Sequence, residues 1–110
     1  MANTFKLKTK AGVTTIATIY TVPSSTTTIV IGCMLGNTDS SSITATVTLV
    51  SDTSATETNQ TVELITNAPI PAGSSLELLS GNKVVMQATD ILKLTASAAC
   101  DITVSILEIT

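Results

Sequence analysis

Apolar and hydroxyl side chains alternate along this chain with a period of two, and that period constrains the fold more than any other feature. It is clearest in Ile43-Thr44-Ala45-Thr46-Val47-Thr48-Leu49. Successive side chains of an extended backbone point to opposite faces, so residues 43, 45, 47 and 49 share one face and the threonines take the other. Such a run is a half-buried strand of an antiparallel sheet. No segment carries the 3.6-residue period of a helix. Strands are expected over 13–22, ending at Pro23, and over 28–35, 43–49 and 61–66. A hairpin is expected from 75–79 and 83–87 about a turn at Ser80-Gly81-Asn82, then strands over 91–96 and 102–109.

Turn formers punctuate these runs: residues 36–42, the polar stretch 51–60, Pro69-Ile70-Pro71-Ala72-Gly73 and residues 97–101. About eight short strands at roughly ten-residue spacing predict an all-β, two-sheet antiparallel β-sandwich, wired as a jelly roll or an immunoglobulin-like Greek key. There is no Trp, and hence no Cys-Trp-Cys pattern of a true immunoglobulin domain. With 110 residues there is room for one core, read as a basic arm or first strand over 1–12 and a single sandwich over 13–110.

Composition bears on what this sandwich does. Charged residues make up 12% of the chain, against about 25% in ordinary globular domains, while 44% is apolar and mean hydropathy is +0.49. A surface so poor in charge associates when left bare, so the apolar surplus reads as subunit interface. The run over 28–35 is apolar on both faces, with Ile29, Ile31, Cys33 and Leu35 on one and Val30 and Met34 on the other. In the last strand Leu107 and Ile109 oppose the face of Ile102, Val104 and Ile106. The candidate interface residues are therefore Val30, Met34, Ile65, Leu79, Leu107 and Ile109, whichever of them the core does not use. Lys6, Lys8 and Lys10 form a basic triplet, whereas residues 11–110 hold two Lys against eight acids, a balance of −6. The triplet is either a solvated face or an arm that docks electrostatically on an acidic partner.

The missing residue types exclude whole classes of function. Without His or Arg the chain lacks the usual proton shuttle and the bidentate anion clamp. A nucleophilic Ser would have no activating base, so no enzyme is expected. One Tyr and one Phe make no stacking platform, and the net charge of −3 argues against nucleic acid. Asp39, Asp52, Asp90 and Asp101 fall in expected turns with no Asp-x-Asp spacing, and turn chemistry accounts for them without a metal. Cys33 in an apolar run and Cys100 in an expected turn have no metal-ligand spacing and are read as reduced thiols; no cofactor is expected. Asn59-Gln60-Thr61 is read as a chance glycosylation triplet. No apolar run is long enough for a transmembrane helix, and the first residues carry no apolar leader core, so no membrane partner and synthesis in a host cytoplasm are expected.

Residues 20–32, Tyr20-Thr21-Val22-Pro23-Ser24-Ser25-Thr26-Thr27-Thr28-Ile29-Val30-Ile31-Gly32, carry a resemblance that continues downstream. It runs on through Asn67-Ala68-Pro69-Ile70-Pro71-Ala72-Gly73-Ser74-Ser75-Leu76-Glu77-Leu78-Leu79, Asp90-Ile91-Leu92-Lys93-Leu94-Thr95-Ala96-Ser97 and the closing Val104-Ser105-Ile106-Leu107-Glu108-Ile109. Over residues 14–110 the chain resembles small β-rich virion proteins of tailed bacteriophages, especially those of marine and cyanobacterial hosts. The resemblance implies a non-enzymatic structural protein on the virion: a capsid decoration or cement protein, or a neck or tail accessory. The alternative, read from the loops over 36–42, 51–60, 67–74 and 97–101, is a surface that recognises a host glycan. The resemblance also implies a homo-oligomer, a homotrimer above other states, bound to other virion proteins such as the major capsid protein. It brings no catalytic residues.

Overall fold

In a computed structural model, residues 2–51, 59–79 and 81–110 are described, and they form nine strands. These are β1 (Asn3–Val13), β2 (Ala17–Thr21), β3 (Thr27–Asn37), β4 (Ile43–Ser51), β5 (Gln60–Ile70), β6 (Ser75–Glu77), β7 (Val84–Met86), β8 (Ile91–Ala96) and β9 (Cys100–Ile109). The expected long loop at 51–60 falls mostly outside the described residues, as does Ser80 of the expected hairpin turn.

Two antiparallel sheets pack face to face. The first, sheet A, has the order β1-β9-β3-β6, with β7 also paired to β3; the second, sheet B, has the order β2-β8-β4-β5. The pairing is concentric in the sequence, β1 with β9, β2 with β8, β3 with β6 and β7, β4 with β5. That is a long hairpin wrapped on itself, the wiring of a jelly roll, and it decides between the two sandwich topologies. Ile43, Ala45 and Val47 of β4, Leu92 and Leu94 of β8, Val30, Cys33 and Leu35 of β3 and Ile102, Val104 and Ile106 of β9 meet in the core. The alternation over 43–49 thus buries its aliphatic side; Thr48, on the opposite side beside Lys93, is covered as well.

Four local expectations are corrected. The strand over 13–22 is interrupted: Val13 closes β1 in sheet A, and the chain crosses over residues 14–16 to enter sheet B at Ala17. The run over 28–35 does not keep one phase, because the β3–β9 register shifts between Val30 and Gly32. The extra residue at this bulge reverses the pattern, so Val30, Cys33 and Leu35 all point inward. Residues 75–79 and 83–87 are not a hairpin, since β6 and β7 each pair with β3, at Met34–Gly36 and Thr28–Val30 respectively. Finally, Cys100 lies not in a turn but at the buried start of β9.

Candidate functional site

The two sheets differ most on their outer faces. On sheet B the outward register runs through Thr46 beside Thr95 and Thr48 beside Lys93 beside Thr18. This side carries hydroxyls and an ammonium, groups that water solvates well, and beyond them the half-buried pair Val50 and Ile91. On sheet A the corresponding register places Phe5 beside Leu107, Leu107 beside Ile29, and Ile29 beside Val85, one apolar row across four strands. Phe5 is 74% exposed, Val85 57% and Met34 47%, and Leu7 and Ile31 are exposed as well. Leu107, Ile109 and Ile29 lie half-buried between them.

The alternation of β1 builds this face. Phe5 and Leu7 point out, and Lys6, Lys8 and Lys10 stand opposite Ile106, Val104 and Ile102, on the inward side of the sheet. Lys6 Nζ lies 2.8 Å from Glu108 Oε1, and Lys8 Nζ stands 5.8 Å from the centroid of the Tyr20 ring. Tyr20 donates its hydroxyl hydrogen to Glu108 Oε2 at 2.5 Å, and its oxygen is 2.8 Å from Thr28 Oγ1. The Lys6 ammonium, then the Tyr20 hydroxyl, hold the Glu108 carboxyl below its ordinary range. Burial, reinforced by Glu108, pushes the Tyr20 phenol up to about 12. The root of β1 is held by Gly12, at φ +65°, whose N–H donates to Asp101 Oδ1 at 2.9 Å. Lys6 and Lys8 therefore close the open margin between the sheets within their own chain.

The sequence-derived interface candidates divide three ways. Val30 is 2% exposed and belongs to the core. Ile65 and Leu79 pack partly buried against the core. Met34, Leu107 and Ile109 share the outer face of sheet A. Phe5, Leu7, Ile29 and Val85 join them there and were not singled out from sequence. The alternation of Phe5-Lys6-Leu7-Lys8 was the available signal; the segment was read as a basic arm or first strand, and only its lysines were weighed as interface. Glu108 was also legible, standing in phase with Ile102, Val104 and Ile106. Cys33 and Cys100 are free and buried, and burial raises both thiols, Cys33 to about 12.

No protein-family model matches the chain, and no curated protein matches it. Among solved structures, it is similar to a chain from the work titled "Bacillus endospore appendages form a novel family of disulfide-linked pili". That likeness has a TM-score of 0.50 at 18% identity and covers 99% of this chain and 87% of the other. At that identity the likeness concerns the fold.

Proposed function

We propose that this chain is a non-enzymatic structural protein of a virion, of the kind that decorates or cements an assembled capsid. It works in an assembly with copies of itself and with other virion proteins such as the major capsid protein. The observation that supports this reading is the difference between the two outer faces: threonine and lysine beside a half-buried Val50–Ile91 pair over sheet B, and the more exposed Phe5, Val85 and Met34 with Leu107 and Ile29 over sheet A. An apolar sheet face left in water costs free energy, and covering it with another protein recovers that cost. The phage resemblance over residues 14–110 supplies the setting. The endospore appendages are described as disulfide-linked pili; a repeated-subunit role agrees with that description, but a disulfide through Cys33 or Cys100 would require the core of this chain to open.

Immunogold labelling of purified phage particles carrying this gene product tests the reading. Label spread over the head is the expected result. Label confined to the neck or tail would transfer the chain to an accessory or host-recognition role. Intact particles without label, but with the protein detected elsewhere in the lysate, would overturn a surface role on the virion.

A further inference from the structure

We propose that β1 is an exchangeable strand: in the assembly, residues 3–10 of one copy lie on β9 of the next and bring Lys6 to that copy's Glu108. The proposal rests on the reading of the chain as a subunit among copies of itself, and names how the copies are joined.

β1 is held on the sandwich by its edge more than by its side chains. Of its 11 residues Val13 is buried, Lys8 is half-buried and the rest are exposed, so none of residues 3–10 belongs to the core. Its attachment is backbone pairing with β9, from Asn3 opposite Ile109 to Lys10 opposite Ile102. Ala2 and Thr110 prolong that pairing, each donating its N–H to the other's carbonyl at 3.2 and 2.9 Å. Two side chains add to it, Lys6 on Glu108 and Lys8 over Tyr20.

The place that β1 occupies is specific for what fills it. With residues 3–10 lifted away, one edge of β9 loses its partner strand, and Glu108 keeps the Tyr20 hydroxyl but loses its cation. An open strand edge is a template for another strand. The occupant must be extended, and it must carry an ammonium opposite Ile106, where Lys6 stands. Residues 1–10 hold three Lys and no acid, while the rest of the chain has a balance of −6. The remaining lysines do not serve, since Lys93 lies in β8 inside sheet B and Lys83 precedes the three-residue β7. The fitting occupant is therefore β1, from the same copy or from a second one.

The hinge favours the second. Closed on its own chain, β1 needs the irregularity between Lys10 and Val13, with Gly12 at φ +65° clipped to Asp101. An extended crossing to a neighbour makes the same strand contacts without that left-handed residue, and short constrained hinges promote such exchange. Val13 stays in its own core opposite Cys100 while Lys10 arrives opposite Ile102 of the neighbour. Three residue steps reach about 10 Å, so the copies meet at their Gly12–Asp101 ends around a symmetry axis. Closed rings of two or of three copies fill every place on β9.

A disulfide across the β1–β9 pair tests this in the full chain. Leu7 and Ser105 are exposed partners in the register. After refolding at high concentration and oxidation, Leu7→Cys/Ser105→Cys should run as a covalent oligomer on a non-reducing denaturing gel. Chains carrying Leu7→Cys alone and Ser105→Cys alone, refolded together, should join to each other. The unsubstituted protein is the control, since Cys33 and Cys100 are free and buried. A Cβ at Gly12 meets nothing within 4 Å, so Gly12→Val acts on the torsion alone and should raise the exchanged fraction about tenfold at fixed concentration. Asp101→Ala, which removes the clip and the like charges brought together at the axis, should raise it as well. A double variant whose disulfide forms within one chain at every concentration, with and without Gly12→Val, would overturn the exchange. Covalent dimers from Leu7→Cys alone would overturn it too, in favour of a contact between closed copies. Either result leaves the structural role standing, to be judged by immunogold labelling.

Discussion

Glu108 holds three parts of the fold with one carboxylate, accepting from Tyr20 of β2 and pairing with Lys6 of β1 while its own strand is central in sheet A. A buried carboxylate is tolerable only while such partners are present. Its acidity is increased by folding, so the unfolded chain binds a proton here at a higher pH than the native chain does. The stability this group supplies is therefore full above its ordinary pKa and is lost as pH falls through the lower, native value. Urea midpoints should decline on acidification below about pH 4.5, and Glu108→Gln should flatten that decline while costing about 1–3 kcal/mol at neutral pH. Tyr20 has the opposite sign. Its phenol rises to about 12 in the native state, so its contribution is complete below 10 and is lost between 10 and about 12. Tyr20→Phe should lessen the alkaline loss seen in the same titration. The thiols give a simpler readout. Cys33 is pushed to about 12 and Cys100 is likewise raised, so neither should react with Ellman's reagent at neutral pH until denaturant opens the core. Rapid reaction of either thiol in the native protein would contradict their burial.

The elements show where local pattern was sufficient and where it was not. The runs over 43–49, 91–96 and 102–109 became β4, β8 and β9 because period-two burial in a central strand is decided by its own side chains. The apparent hairpin after Gly73 failed for a different reason. Both of its arms are three-residue strands that satisfy their backbone on the long β3, a choice set by tertiary pairing that no turn signal reports. Gly32 marked the bulge in β3, and reading a glycine inside a strand as a break in phase would have turned Val30 inward. The expected turn over 36–42 is better defined by Asn37, the last residue of β3. Its side-chain amide donates to the Ser41 and Ile70 carbonyls at 2.9 Å each, and its Oδ1 accepts from the Asp39 N–H at 2.8 Å. It thus ties the end of β3 to the β3–β4 turn and to the end of β5. Asn37→Ala removes three hydrogen bonds at a buried position and should cost about 2–4 kcal/mol, read as a lowered urea midpoint with an unchanged slope. An effect under about 0.5 kcal/mol, the level of a neutral surface change, would mean that the turn holds itself without the amide.

For the whole molecule the question is which force brings it to its partners, and the sequence offered two. The lysine triplet pointed to electrostatic docking and the aliphatic surplus to apolar burial. The sandwich separates them in space, because the strand that carries the lysines turns two of them onto Glu108 and Tyr20 and presents Phe5 and Leu7 on the opposite side. Period-two alternation made that separation legible, but only once the segment was taken as a strand; as an arm, its lysines and its apolar residues had no sides. The two forces respond oppositely to salt. Attraction through exposed lysines is screened as ionic strength rises, whereas burial of apolar surface is insensitive to sodium chloride and strengthened by sulfate. The mass of the free protein by light scattering should therefore hold between low and moderate sodium chloride and rise, at fixed protein concentration, in sulfate. Lys10→Glu, at an exposed position on β1, should leave it unchanged, and Val85→Asp should lower it. Dissociation by sodium chloride, with Val85→Asp silent, would return the contact to the lysines and leave the apolar row to a different role.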